Sequence, residues 1–430
     1  MKNNIKKILI LIRIEAGLGD VNWGLRILEG IKNKYKVILV FINCMKKQEN
    51  YLKNHTKYKI QEINNEKEDY FINEEINILN KKNLDKEKFI YIYKEKEISN
   101  QKILDLTKNF FKILNFHFSP KNIINHSQVI NFDEYGKNSE KIYFLFRNYE
   151  EEYKDFVCLD NKILKINISP EKFKKIYNLE DDKFNIENMN YLSNMPFYFS
   201  YFSRSDLIKD MISFFYFVEK VIMFSELKEF TILTNISDIF SEDVSLIDSN
   251  KSELKDDSVS HNIFDLLDRE LVTNGFTELY YKLYYISQMI NINIKLINNN
   301  LVLEYKDKII QIKTYPVLSK YEFDFLLLKS EEIVGCTGDM SISETISSNR
   351  IFVYQTLSHK LNFRRMLNKE WNEFYKEKKD FLLEIMFDPA LITKRKEIED
   401  FKKFKNKMWN FYEHLKGNSF LRWLDEKLEE

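Results

Sequence analysis

Two short segments carry residue types suited to holding and activating a charged substrate. Near the start, Gly17-Leu18-Gly19-Asp20 sets a carboxylate directly after two glycines; near the end, Thr337-Gly338-Asp339-Met340-Ser341-Ile342-Ser343-Glu344 joins a glycine to acids and hydroxyls. A carboxylate on a glycine turn can serve as a general base. A glycine turn that opens a helix offers backbone N–H groups and the positive end of the helix dipole to an anion. A diphosphate is a suitable guest, with Thr337, Ser341 and Ser343 as hydroxyl donors. Both segments also have a plainer reading, Asp20 as a helix N-cap and Ser341 with Glu344 as a capping box. Of only nine glycines, six are Gly17, Gly19, Gly24, Gly30, Gly335 and Gly338. That clustering marks places where the backbone takes positive φ or approaches another group closely.

The elements that must position these residues are legible around them. Lys7-Ile8-Leu9-Ile10-Leu11-Ile12-Arg13 is a continuous apolar run suited to a strand buried on both faces. Val21, Leu25, Leu28 and Ile31, with Trp23 and Ile27 beside them, keep helical spacing, and 36–42 reads as the next strand, completing a βαβ unit. The spacing is not G-x-G-x-x-G, so a dinucleotide fingerprint is absent. In the late segment, strands are expected at 309–315, 332–336 and 351–354, with a short amphipathic helix at 321–330 and a helix running to about 348. Gln355 falls just after the last of these strands.

Between these segments the chain is expected to form a charged, irregular connection over 150–191, a strand at 231–235, a surface loop over 245–262 and three short strands over 291–315. The stretch Phe197-Tyr198-Phe199-Ser200-Tyr201-Phe202-Ser203-Arg204 reads either as core or as a ligand-lining wall. From Leu367 onward the pattern is helical, with Trp409, Leu415 and Trp423 on apolar positions; a peripheral membrane contact is a competing use of that face.

Composition narrows the function classes. At 430 residues the chain exceeds what one core usually fills, so two domains are expected. Lys+Arg and Asp+Glu both number 66, which gives no global pull toward nucleic acid. Cys44, Cys158 and Cys336 form neither a disulfide framework nor a zinc pair, and a reducing cytoplasm is expected. Met1 to Ile14 has lysines before an apolar run, but Arg13 interrupts it, and we read it as a strand rather than a signal peptide. No apolar stretch reaches a membrane span. The six histidines show no spacing for zinc or a Ser-His pair, and Asp181-Asp182 and Asp256-Asp257 fall in polar loops, so no metal and no cofactor are expected.

A chain that opens with a strand, a G-x-G-D turn and a helix, and closes with a strand, a G-D-x-S-x-x-E turn and a strand, resembles the GT-B glycosyltransferases. The resemblance implies an α/β chain with two Rossmann-like domains facing across a cleft, about 1–200 on the acceptor side and 201–366 on the nucleotide-sugar side. A helical tail over 367–430 would cross back to the first domain. A narrower likeness, to bacterial elongation-factor arginine rhamnosyltransferases, rests on Gly19-Asp20 with Trp23 and Arg26, and on Gly338-Asp339-Met340-Ser341. There the late acid is Asp where that family has Glu, and Thr337 stands where an arginine is expected. The resemblance implies Asp20 and Asp339 as catalytic residues, Asp20 being the base of an inverting, metal-independent transfer. It implies Thr337, Gly338, Met340, Ser341, Ser343, Glu344 and Gln355 around a nucleotide-sugar donor, and Gly17, Gly19 and Trp23 on the acceptor side. The resemblance implies an acceptor, whether protein, glycan or small molecule, that the sequence does not name. A non-catalytic binding protein and a nucleotide-sugar epimerase of the same fold are the rival readings.

Overall fold

Aliphatic side chains in unbroken series can be buried on both faces of a parallel sheet. The first series, β1 (Lys7–Arg13), is buried from Ile8 to Arg13. The computed structural model describes residues 6–14, 19–55, 58–63, 89–93, 100–108, 110–116, 123–132, 136–137, 141–142, 144–203, 207–236, 293–297, 300–357, 360–376, 386–387 and 401–429. Gly17, Arg204, Asp256-Asp257 and the 245–262 segment lie outside them, as does the side chain of Asp339. The chain divides into two compact units, Met1–Phe146 with Glu413–Glu430, and Arg147–Tyr412.

In the first unit β1 is followed by α1 (Gly19–Ile31), β2 (Lys36–Ile42), α2 (Lys46–His55), β3 (Lys59–Ile63), β4 (Phe89–Tyr93), α3 (Asn100–Leu106), β5 (Lys112–Phe116) and β6 (Val129–Phe132). These six strands form one parallel sheet in the order β3-β4-β2-β1-β5-β6. The chain winds outward from β1 through β2, then resumes at β5 on the opposite flank of β1, so the winding reverses between β1 and β5. A small antiparallel pair, β7 (Gly136–Lys137) and β8 (Lys141–Ile142), follows. The last helix, α12 (Phe420–Glu429), packs here: Phe420 lies edge-on to Trp23 at 5.1 Å, and its backbone N–H donates to the Phe144 carbonyl at 2.9 Å.

The second unit opens with α4 (Tyr149–Glu152), the hairpin β9 (Val157–Asp160) and β10 (Ile163–Ile166), α5 (Pro170–Tyr177) and α6 (Ile186–Leu192). Here the structure corrects the expectation of an irregular connection over 150–191. Charged residues are interleaved through the segment, yet Phe173, Phe184 and Met189 are fully buried, as is Leu192 just beyond it. Its helices are capped by Ser169 with Pro170 at the first turn, and by Asn185. The sheet that follows is built from β11 (Phe197–Tyr201), α7 (Leu207–Phe224), β12 (Glu229–Thr234), β13 (Asn293–Ile297), β14 (Asn300–Tyr305), β15 (Lys308–Thr314), α8 (Lys320–Lys329), β16 (Ile333–Cys336), α9 (Gly338–Ser347) and β17 (Ile351–Tyr354). Its order is β13-β14-β15-β12-β11-β16-β17, parallel from β15 to β17 with the antiparallel β13–β14 hairpin on one flank. The chain leaves β11 toward β12 and β15 and returns to β16 on the other side of β11. The winding of this sheet therefore reverses between β11 and β16.

The helices α10 (Leu361–Tyr375) and α11 (Phe401–Gly417) complete the unit, and the division between units falls within α11. The described aromatic residues of the 197–204 stretch are mostly core: Phe197, Tyr198, Phe199 and Phe202 are buried, and Tyr201 is exposed. The chain is thus an α/β protein with two Rossmann-like units, each on a largely or wholly parallel sheet, and helices at its C-terminal end. No helix among the described residues is long and apolar enough to cross a membrane.

Candidate functional site

In open α/β sheets ligands bind beyond the carboxyl ends of the strands, where the winding reverses. In the second unit that point lies between β11 and β16, and β16 leads directly into α9. Thr337 occupies the N-cap position with extended backbone but makes no side-chain capping bond. Gly338 follows at φ +78, a left-handed conformation that favours glycine, and a Cβ built there would meet nothing within 4 Å. The start of α9 therefore borders open space. Gly335 has a different reason to be glycine, since a Cβ there would lie 2.5 Å from the Phe202 ring and 2.8 Å from the Ser200 Cβ.

The hydroxyls of α9 are turned inward. Ser341 Oγ donates to the carbonyls of Thr337 and Gly338, the latter at 3.1 Å, and Thr345 and Ser347 each donate at 2.7 Å to the carbonyl one turn back. The expected capping box of Ser341 and Glu344 is not formed, because the helix begins at Gly338 and Ser341 already lies inside it. Ser343 is buried, Glu344 sits 3.9 Å from the Arg147 guanidinium, and Met340 is half-buried. With the Ser341, Thr345 and Ser347 hydroxyls so engaged, the backbone N–H groups of the first turn are the donors this helix start offers an anion. Cys336, immediately before them, is no thiolate, because burial pushes its thiol up.

Gln355 leaves β17 with its own N–H donating to the Cys336 carbonyl at 2.9 Å, and its carbonyl accepts from Thr337 Oγ1 at 3.4 Å. Its amide is directed to Ser203, with Oε1 accepting from the Ser203 N–H at 2.7 Å. Asn235, just after β12, makes the equivalent pair of bonds to Phe202. These two amides went unnoticed as a pair in the sequence; the available signal was a carboxamide directly following each of two buried strands.

In the first unit the equivalent point lies at the ends of β1 and β5. Gly19 and Asp20 form the first turn of α1, so Asp20 lies just inside the helix rather than at its N-cap, and both residues are partly exposed. Trp23, expected on the acceptor side, is instead core, stacked edge-on to Phe420 and only 4% exposed. Arg26 donates to the Leu145 carbonyl at 3.2 Å. At the reversal itself, buried Arg13 donates to Asn115 Oδ1 at 2.7 Å and to the Phe116 carbonyl at 2.8 Å; Asn115 passes the chain of bonds on to Asn131 at 2.8 Å. This polar lattice ties the end of β1 to β5 and β6.

A buried ionic cluster backs α9. Arg147 pairs through both terminal nitrogens with Asp324 on α8, at 2.8 Å for Nη2–Oδ2, and also reaches Glu152. Its backbone N–H donates to Ser347 Oγ on α9 at 3.0 Å. Tyr153 Oη donates to Asp324 at 2.6 Å, and Lys320 lies 3.4 Å away. Burial alone would push the Asp324 carboxyl up, but Arg147 and Lys320 outweigh it and hold the group well below the usual carboxylate range. Arg350, also fully buried, is satisfied by neutral groups, the Ser330 hydroxyl and carbonyl and the carbonyls of Leu164 and Ser348, and burial pushes it down to about 9.

No family model matches the chain, and no curated protein matches it. Solved structures give low-level likenesses over nearly the whole length. S. aureus MnaA in its UDP co-structure is 11% identical, with 97% of this chain and 92% of that one covered and a TM-score of 0.34. Anabaena HepE in complex with UDP and glucose is 9% identical over 99% of each chain at a TM-score of 0.32. The N-terminal domain of Candida albicans trehalose-6-phosphate phosphatase is 10% identical over 98% of each at 0.33.

Proposed function

We propose that this chain is a nucleotide-sugar-dependent glycosyltransferase of the GT-B kind. One observation carries the reading: the start of α9, with no side-chain cap from Thr337 and open space beside Gly338, lies where the winding of the second sheet reverses. Backbone N–H groups there and the helix dipole, worth about half a positive charge, suit the diphosphate of a donor. As the bond from the anomeric carbon to the diphosphate breaks, negative charge grows on the leaving oxygen, and fixed N–H donors stabilise it most at that moment. The acceptor must lose a proton as it attacks, and Asp20 is the carboxylate we assign to take it, with inversion at the sugar carbon. Asp339, second in α9, is assigned to donor orientation.

A melting-temperature screen against UDP-, GDP- and dTDP-sugars tests donor binding, since ligand in excess stabilises the folded state by mass action. Transfer to an acceptor that is lost in Asp20→Asn while the donor-induced shift persists is the expected result. Conversion of the nucleotide sugar with no acceptor present, unaffected by Asp20→Asn, marks an epimerase and contradicts transfer.

A further inference from the structure

Strand β11 ends at Tyr201, yet the next two residues are held as if the sheet continued. Asn235 Oδ1 accepts from the Phe202 N–H at 2.9 Å, and its Nδ2 donates to the Phe202 carbonyl at 2.6 Å. Gln355 Oε1 accepts from the Ser203 N–H at 2.7 Å, and its Nε2 donates to the Ser203 carbonyl at 3.4 Å. A carboxamide offers the same donor and acceptor pair as a peptide group, so each side chain completes both backbone bonds of one residue. Both are buried, where an unmatched amide would be costly. The two amides thus replace neighbouring strands and carry β11 past the edge of the sheet.

The place to which they carry it is the start of α9. In the ladder Ser200 pairs with Gly335 and Tyr201 with Cys336, the residue that leads into the turn before α9, and Ser203 follows two residues after this last pair. Gln355 binds both sides of this juncture, Ser203 through its side chain and the Cys336–Thr337 turn through its backbone. The Phe202 ring, lodged against the Cα of Gly335, fixes the spacing between the two segments. The hydroxyls of Ser341, Thr345 and Ser347 are spent on carbonyls one turn back, whereas Ser203 is half-buried and tied through Gln355 to the turn before α9.

We infer that Ser203 is a contact residue of the diphosphate site, its hydroxyl donating to a phosphate oxygen held at the start of α9, and that Gln355 and Asn235 are positioning residues that deliver it. This rests on the reading of α9 as the diphosphate site. Gln355 then acts through Ser203 rather than by touching the donor.

Calorimetry with UDP, GDP and dTDP on the full chain identifies the nucleoside diphosphate that binds tightest, and the matching nucleoside serves as the phosphate-free probe. Ser203→Ala is expected to weaken diphosphate binding about tenfold or more, the effect of one hydrogen bond to a charged group. Nucleoside binding and the ligand-free melting temperature stay unchanged, and Ser203→Thr retains affinity. Gln355→Ala is expected to weaken diphosphate binding as much, and the double variant no further, because coupled residues are non-additive. Wild-type affinity in Ser203→Ala overturns the contact, and additive losses overturn the positioning role. If none of the three diphosphates binds the wild-type chain, the underlying reading of α9 fails instead.

Discussion

Replacing Arg147 by Met removes a buried guanidinium and keeps a side chain of similar reach, so the change is one of charge more than volume. Asp324, fully buried on α8, is left with Tyr153 Oη, Tyr149 Oη and the half-exposed Lys320 as its neutralising company. Breaking a buried ion pair by deleting one partner costs about 3–5 kcal/mol, because the other charge is stranded away from water. An exposed pair such as Lys369–Glu373 at 3.7 Å is worth little. Every 1.4 kcal/mol is tenfold, so amides in β11 and β12 that exchange through unfolding of the second unit should exchange about a hundredfold to several thousandfold faster in Arg147→Met. Amides of β1 and β2, in the other unit, serve as the internal control. Adding Asp324→Leu removes the stranded charge and should recover at least half of the loss. A change below tenfold in β11–β12, or a double variant as labile as the two single effects combined, refutes the reasoning.

Acid titration follows from the same pair. Asp324 is held below its ordinary pKa by Arg147 and Lys320 against the opposing effect of burial, so its contribution is complete above the usual carboxylate range and is lost as pH falls below it. Asp324→Asn should lower stability at neutral pH and flatten the acid limb of a urea-midpoint profile; an acid limb of undiminished steepness contradicts this. Gly335→Ala drives a Cβ into the Phe202 ring and Ser200, and a melting scan should show a loss of about 1–3 kcal/mol in the second unit. Trp23→Ala opens a cavity against Phe420 and should cost about 3–5 kcal/mol, read as faster exchange in β1.

Much of the scaffold was legible because it rests on local pattern. The apolar series 7–13 and 36–42 suited buried strands, and the glycine turn after 333–336 suited a helix start. What stayed hidden depends on contacts between residues remote in sequence. Ser341 looked like a cap because Ser and Glu three apart suit one, but its hydroxyl is satisfied one turn back and the helix begins earlier. Nothing in the local pattern of 321–330 marks Asp324 as buried, because its main partner, Arg147, lies 177 positions away. Gln355 suggested a ligand contact, whereas its amide is directed to Ser203, 152 positions earlier. Trp23 has the period of a helix and no local sign that α12 would cover it.

The central claim, that the start of α9 holds a diphosphate, can be read on one backbone amide. The chain has nine glycines, so 15N-glycine labelling gives a spectrum simple enough to assign by substitution. Titration with UDP, GDP and dTDP is predicted to move the Gly338 resonance, with the matching nucleoside leaving it in place and Gly417 unmoved throughout. Saturable binding that shifts other glycines while Gly338 stays fixed contradicts the claim.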